Sequence, residues 1–427
     1  MGRHFRKGLV IGMVLILIAV VFTAIPTNIS AAAPPIIYIN ADGTISPPSA
    51  PISKVGDVYT LTADANNRIY IRKSGIRLDG DGYTLYGGTY EGHGNNIRDC
   101  NSVIVEDITV KEFYFGIYIY ESDSNTIRFC KVEDNKWDGI RIYNSEYNSV
   151  IFNDVSGSER GITLDVADAN SIKYNSVNSC VSGIRVDGDS NIIYKNSVKN
   201  NHVGIGLTAD YNVIKDNMAA DNLWFGIHMN DADFNVLEDN IMMRANMGIY
   251  LLYSDGNTLI CNGIIKNNIG IKLQNSYKNR FHHNNIIHNV DQLEMISTVN
   301  VWDDGAGEGN YWSDYAGVDL DSDGVGDTLL PHQGVDNYPL MAPCCGFFTI
   351  DYVIEVVEDL ELPAGIENSL ISKLNNALKS LEKGNIQAAM NQLEAFINEV
   401  EAQKGKKISE EDAELLIEAA MLIMETL

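Results

Sequence analysis

The chain has 427 residues, 45% of them hydrophobic, with 57 acidic against 31 basic side chains and a formal charge of −26. That length allows two or three domains, and the apolar content supports a buried core. So acidic a surface repels nucleic acid and anionic lipid and suits a neutral or cationic partner, metal ions or a high-salt exterior. It argues less strongly against acidic polysaccharide, because a local basic stripe or calcium can bridge.

Residues 1–33 read as a secretory signal peptide. Arg3, Arg6 and Lys7 precede an apolar run from Gly8 to Ile25, and Ser30-Ala-Ala-Ala33 offers small residues for cleavage. The competing reading is an uncleaved anchor, although the run is short for a membrane span. No later stretch spans a membrane, so the mature chain is expected outside, secreted or at the cell surface, a periplasm-like space included. Residues 34–54 are rich in proline and serine and predict a linker. Residues 55–115 hold short alternating runs such as Arg68-Ile-Tyr-Ile71, expected as irregular first coils that hide an open edge.

A repeat then takes over. Glycines recur at Gly116, Gly139, Gly161, Gly183, Gly204, Gly226, Gly248 and Gly270, in steps of 21 to 23 residues. Each opens a phrase with period-2 alternation, such as GIYIY or GIRVD, the mark of a half-buried strand. Asparagines follow at Asn125, Asn148, Asn170, Asn191, Asn212, Asn235, Asn257 and Asn279, and about five residues later at Asn153, Asn175, Asn196, Asn217, Asn240, Asn262 and Asn284, with Cys130 in the first slot. Coils of 22 residues with two or three strands leave no room for a helix. One coil cannot bury its own apolar face, so coils must stack, about 4.8 Å per rung. The expectation is a parallel β-solenoid over residues 55–299. Glycine is expected to supply positive-φ turns, and asparagine to tolerate left-handed turns and bond from coil to coil.

Residues 300–343 are rich in Trp, Asp and Gly and predict a C-terminal cap. Asp319-Leu-Asp-Ser-Asp-Gly-Val-Gly-Asp327 has the opening of an EF-hand calcium loop. Asp319, Asp321 and Asp323 would take positions 1, 3 and 5, with the Val325 carbonyl and Asp327 after them. Position 12 is Leu330 instead of Glu, so an acidic turn that merely closes the solenoid competes with calcium.

Residues 347–427 change to helical periodicity, as in Leu370, Leu374, Ala377, Leu378 and Leu381, with Gly384 and Gly405 at helix ends. Ser409 with Asp412 reads as an N-cap. A small three- or four-helix bundle follows, with 16 acidic and six basic residues, suited to docking a protein partner. The cysteines Cys100, Cys130, Cys180, Cys261, Cys344 and Cys345 have no zinc spacing and read as small buried rungs more than a disulfide framework, with the Cys344-Cys345 pair unassigned.

The GIxI…N…N…N coils resemble NosD-type β-helix repeats of the wider carbohydrate-binding and sugar-hydrolase (CASH) group. Gly309-Asn-Tyr-Trp-Ser-Asp-Tyr315, Asp323-Gly-Val-Gly-Asp327 and Tyr338-Pro-Leu340 resemble the cap of surface-exported members. The tail, with Leu370-Ile-Ser-Lys-Leu374 and Phe396-Ile-Asn-Glu-Val400, is similar to the FIMAH helical domain. The resemblance implies a right-handed parallel β-helix. For NosD itself it implies a role in maturing a copper enzyme, and for relatives polysaccharide binding or cleavage.

In each GIxIx phrase the third and fifth positions face out, and stacking turns them into columns. One column carries Tyr118, Arg141, Arg185, His228 and Tyr250; the other carries Tyr120, Tyr143, Asp165 and Asp187. Asp165 and Asp187 would lie one rung apart, near enough to share a proton or metal, with Arg185 beside them as the catalytic candidates. Tyr118, Tyr120, Arg141, Tyr143, His228 and Tyr250 would bind substrate, the aromatic rings stacking on sugars. Ordinary surface charge pairing is the competing reading. Neither the Asp-Pro-His-Glu signature of alginate epimerases nor the Asp clusters of polygalacturonases is present, which weighs against an enzyme. His282, His283, His288, His228-Met229, Met242, Met243 and Met247 are the copper-suited side chains, but the methionines mostly fill apolar slots and only one of His282 and His283 can face out of a strand. Copper is therefore not an expected cofactor, whereas calcium is a candidate. The first expectation is an exported, non-catalytic β-helix that binds polysaccharide or surface glycan through an outward groove. The alternatives are a lyase or hydrolase on acidic sugars and a copper-handling accessory protein.

Overall fold

The computed structural model describes residues 34–88, 90–344, 349–360 and 362–427. The leader, residues 1–33, and Cys345 lie outside them. The chain winds into a parallel β-solenoid whose coils each give one strand to three sheets, here A, B and C, of 13, 12 and 11 strands. The eight glycine phrases stack in sheet A. Ile162 pairs with Ile184, Leu164 with Val186 and Asp165 with Asp187, so residues one repeat apart share a rung position. The isoleucines, leucines and valines of the three sheets fill a continuous interior.

The coil-to-coil bonding expected of asparagine holds, whereas the ladder asparagines do not themselves take the left-handed conformation. The Asn125 amide N–H donates to the Asn148 Oδ1 at 2.8 Å, Asn148 to Asn170 at 2.8 Å, and the chain of bonds continues through Asn279 to Asn300. A second ladder runs from Cys130 through Asn284 to Asn310. Each buried corner thereby satisfies backbone groups that have no sheet partner.

The role of glycine differs from expectation. The repeat glycines do not have positive φ. A Cβ on Gly139 would stand 2.8 Å from the Gly161 carbonyl oxygen, and one on Gly226 would stand 2.6 Å from that of Gly248. Backbones approach too closely there for any side chain. The left-handed corners belong instead to residues just before the ladder asparagines, such as Tyr147, Phe152 and Tyr174.

Residues 34–54 are not a tether. Ile36–Ile39 joins sheet A in parallel with Arg68–Ile71, and Ile52–Val55 forms a hairpin with Val58–Leu61. The alternation in Ile36-Ile-Tyr-Ile39 buries Ile37 and Ile39, and this outweighs the nearby prolines. At the other end Tyr311–Trp312 adds a strand to sheet C. Trp302 stacks on Phe281 at 4.4 Å, and the buried Asp336 carboxylate accepts bonds from the Asn310 amide (2.9 Å) and the Trp312 indole (2.8 Å). Asp336 thus ends the second ladder.

Four helices follow: α1 (Ile350–Asp359), α2 (Ala364–Leu381), α3 (Ile386–Gln403) and α4 (Glu410–Thr426). Ser409 caps α4, its hydroxyl accepting from the Asp412 N–H at 3.0 Å. The helices lie against sheet C. Ala220, Ile241, Met243, Ile265 and Ile287 share one apolar cluster with Leu374, Phe396 and Leu416, and Lys199 pairs with Asp412 at 3.0 Å. Among the described residues no helix is long and apolar enough to cross a membrane.

Cys100, Cys130 and Cys180 are buried free thiols, two of them in asparagine slots or their equivalents, as the small-rung reading requires. Cys261 departs from it and is disulfide-bonded. Asn95 is a further oddity: it points into the solenoid interior beside Ile69 and Ile117, and its amide has no hydrogen-bond partner. Asn95→Leu is expected to stabilise the protein by about 1–2 kcal/mol, because a buried amide without partners costs that much. A urea titration that showed a lower midpoint for the variant would reverse this.

Candidate functional site

Three columns of side chains meet on the outward side of sheet A. Strand alternation puts two there, and the third joins them although it has the parity of the inward isoleucines, Phe115 meeting Tyr118 at 5.2 Å. Two are the columns read from the sequence. The third is the position before each glycine: Phe115, Asp138, Arg160 and Ser182 lie in register. Sequence reasoning missed this column because it began each phrase at the glycine. The available signal was Asp138, an acid between Phe115 and Arg160 in that slot.

Asp138 is fully buried. The Thr163 hydroxyl donates to it at 2.7 Å, the Arg141 guanidinium lies at 3.1 Å and that of Arg160 at 3.9 Å. Burial pushes its carboxyl above the ordinary range, and these partners offset the push only in part. Arg141 also holds Asp165 and lies beside the rings of Phe115 (5.2 Å) and Tyr143 (5.6 Å).

Asp165 and Asp187 occupy adjacent rungs, as expected. They do not act as a pair. Asp165 is held by Arg141, whereas Asp187 accepts from the Arg185 Nε at 2.7 Å and from the Thr208 hydroxyl. Arg185 is thus a partner of Asp187.

Aromatic side chains surround this charged centre. His93 stacks on Phe115 at 4.9 Å and meets Tyr118 at 4.9 Å, and Tyr120 stacks on Tyr143 at 5.6 Å. Burial lowers the His93 pKa to about 4 and raises that of Tyr118 to about 12, so both are neutral near pH 7. His228 and Tyr250 stand apart from them, farther along the sheet. They stack together at 5.2 Å with Phe225 alongside, and burial lowers the His228 pKa.

In the cap, Asp319, Asp321 and Asp327 each bring a carboxylate oxygen within 4.8 Å of the others. The Asp319 carboxylate accepts from the Ser322 N–H (2.6 Å) and the Gly324 N–H (2.9 Å), which winds the loop around it. Asp323 turns away to accept from the Val325 N–H at 2.8 Å. The nearby charge of Asp323 raises the Asp321 pKa, a crowding that a divalent cation would relieve.

The copper-suited side chains disperse. Met229 and Met242 are solenoid core, and Met243 lies in the cluster shared with the helices. His282 and His283 were expected on opposite faces, but the strand ends at His282 and His283 has a φ of 56°, so their Nδ1 atoms meet at 2.9 Å. His283 Nε2 contacts Glu308 at 2.7 Å, with Asp304 close by.

A three-sheet parallel β-helix with a polar and aromatic outward sheet is the class that fold and site define. Residues 56–212 and 139–317 match the family described as periplasmic copper-binding protein (NosD), and together they cover more than half the chain. The chain belongs to the NosD family. Residues 351–425 match the FIMAH domain. Among solved structures, the periplasmic alginate epimerase AlgG is similar, with 16% identity, 62% of this chain and 83% of that one covered, and a TM-score of 0.40. The A-module of the Azotobacter vinelandii mannuronan C-5 epimerase AlgE4 gives 14% identity, coverage of 63% and 86%, and a TM-score of 0.36. DFA-IIIase from Arthrobacter chlorophenolicus A6 without its lid gives 11%, coverage of 52% and 70%, and 0.40. No curated protein matches this sequence.

Proposed function

We propose that this is an exported β-helix that binds polysaccharide or surface glycan along the outward face of sheet A. The observation that carries the reading is the in-register placement of Tyr118, Tyr120, Tyr143, Arg141, Asp165 and Arg185 on one face. Rings that repeat at the rung spacing, about 4.8 Å, with hydrogen-bonding groups between them suit an extended sugar chain. Sheet C is less suited, because the helices cover its later strands.

Binding is favoured over cleavage. Glycosidic hydrolysis needs an acid and a second carboxylate, both open to the substrate. Asp165 and Asp187 are each engaged by their own arginine, and Asp138 is buried. A glycan array tests the reading. Binding should appear for the full chain and fall about tenfold for Tyr143→Ala, Asp165→Ala or Arg185→Ala, the size of one lost charged or stacking contact. If the folded protein bound no glycan, the reading would be lost; new reducing ends or unsaturated products from any polysaccharide would turn it toward an enzyme.

For the cap loop we propose a calcium ion held by Asp319, Asp321 and Asp327, with the Val325 carbonyl. Calcium at a hundredfold excess over Kd should then add about 2.7 kcal/mol of stability. Asp319→Ala should remove that gain. Melting curves that coincide in calcium and in chelator would end this proposal.

A further inference from the structure

We infer that the polymer held on sheet A is anionic, its carboxylate or sulfate groups being taken by a row of arginines at the N-terminal end of that sheet. The inference rests on the glycan reading above and names the charge of the ligand. Twelve arginines occur in the chain, two of them in the leader. Of the others, Arg68, Arg72, Arg98, Arg141, Arg160 and Arg185 all lie in or directly after sheet A strands between Arg68–Ile71 and Ser182–Asp187.

Arg141 and Arg185 are ion-paired, but the surroundings of Arg72, Arg98 and Arg160 differ from those of Arg77, Arg128 and Arg244. Arg77 and Arg128 on sheet B pair with Glu106 at 2.7 and 2.5 Å, and Arg244 pairs with Asp221 at 2.6 Å. On sheet A, by contrast, Arg72 lies over Tyr38 at 4.3 Å, Arg98 over Tyr120 at 4.6 Å and Arg160 over Trp137 at 5.1 Å. The acids nearest Arg98 and Arg160 stand off, at 3.5 Å for Asp99 and 3.9 Å for Asp138. A guanidinium laid on a ring keeps its N–H edge for a planar oxyanion, and aromatic support holds it in place. The acids within the row are already engaged: Asp138 is buried, Asp165 is held by Arg141 and Asp187 by Arg185.

Charge is then absent from the next three coils of the face and returns beyond them with Lys272 and Glu294, which pair with each other. The outward positions of those three coils carry Val203, Gly206, Phe225, His228, Met247 and Tyr250. In a chain of net charge −26 the six arginines outnumber the four acids beside them, Asp99, Asp138, Asp165 and Asp187, and so leave a local positive excess. An anionic polymer is thus directed to one end of sheet A. Its repeated charges meet guanidinium groups spaced along the solenoid axis.

The test uses the chain from residue 34 onward, with chelator present to remove calcium bridges, and polygalacturonate, dextran sulfate and neutral dextran as probes. Calorimetry should show an anionic polymer binding at least about tenfold more tightly than dextran, and weakening as salt rises. Arg72→Gln and Arg98→Gln should each lose about tenfold, the worth of one charge-assisted contact, with melting temperature unchanged. Preference for polygalacturonate assigns carboxylate as the ligand group, and preference for dextran sulfate assigns sulfate; either upholds the inference. Dextran bound as tightly as the charged polymers, anionic binding indifferent to both substitutions, or binding that needs calcium overturns the arginine row but leaves the glycan reading. Failure of every polymer to bind overturns both.

Discussion

Asn217→Leu should destabilise the solenoid by about 3–5 kcal/mol. The Asn217 Oδ1 accepts from the Asn196 N–H and from the Asn196 Nδ2, both at 2.9 Å. Its own Nδ2 donates to the Ile193 carbonyl at 2.8 Å, the Lys215 carbonyl at 2.9 Å and the Asn240 Oδ1 at 3.0 Å. Leucine is close in size, so the change leaves the volume nearly filled and removes every one of these bonds. The buried Asn196 N–H is left unpaired and the Ile193 carbonyl loses its side-chain donor, each at a cost of about 1–3 kcal/mol, whereas the Lys215 carbonyl keeps the Lys195 N–H. A stacked array unfolds in parts, so the readout is both the urea midpoint and amide exchange in the neighbouring coils. Faster exchange at Asn196 and its rung is expected. A total cost under 1 kcal/mol would show that the ladder is incidental to stability.

Arg141→Ala should act through Asp138. The Arg141 side chain is 15% exposed and Asp138 is not exposed at all. Removal of the guanidinium leaves a buried carboxylate with only the Thr163 hydroxyl at 2.7 Å and Arg160 at 3.9 Å. A buried charge stripped of one partner costs about 3–5 kcal/mol. The penalty depends on the charge of Asp138. Its carboxyl titrates above the ordinary value in the folded protein because of burial. Its contribution is therefore most favourable at acid pH and is lost as pH rises from the ordinary carboxyl pKa through the folded one. The Arg141→Ala penalty should accordingly shrink on acidification, and Asp138→Asn should recover much of it at pH 7. If the penalty were equal with and without Asp138, the two side chains would be uncoupled. Glycan binding should fall as well, because Asp165 and Tyr143 lose the group that sets their positions.

The repeat made much of this legible beforehand. A fixed period of glycine and asparagine forces residues about 22 apart into one column, so the pairing of Asp165 with Asp187 followed from counting. The ladders followed in the same way. The reason for each glycine did not, because close approach of one coil to the next is a property of stacked backbones and leaves no local trace. Residues 34–54 were misread because prolines draw attention to a linker, whereas four alternating residues, Ile36–Ile39, suffice for a strand once Arg68–Ile71 offers a partner. In sheet C the outward slots change from Lys131, Asp154 and Ser176 to Met218, Ile241 and Gly263, and from Glu133, Ser156 and Asn178 to Ala220, Met243 and Ile265. That shift toward apolar residues signalled a covered face, yet Met243 read simply as core.

By itself, then, the sequence determined the solenoid, its register and the identity of the residues that share a rung, because periodic hydrophobic and asparagine positions admit one way of stacking. It also determined that helices follow. Only the tertiary structure decided which carboxylate each arginine takes, that Asp138 is buried, and that the helices lie on sheet C and leave sheet A open. Those outcomes depend on the reach and direction of side chains between coils and on contacts between distant segments, which no spacing along the chain encodes.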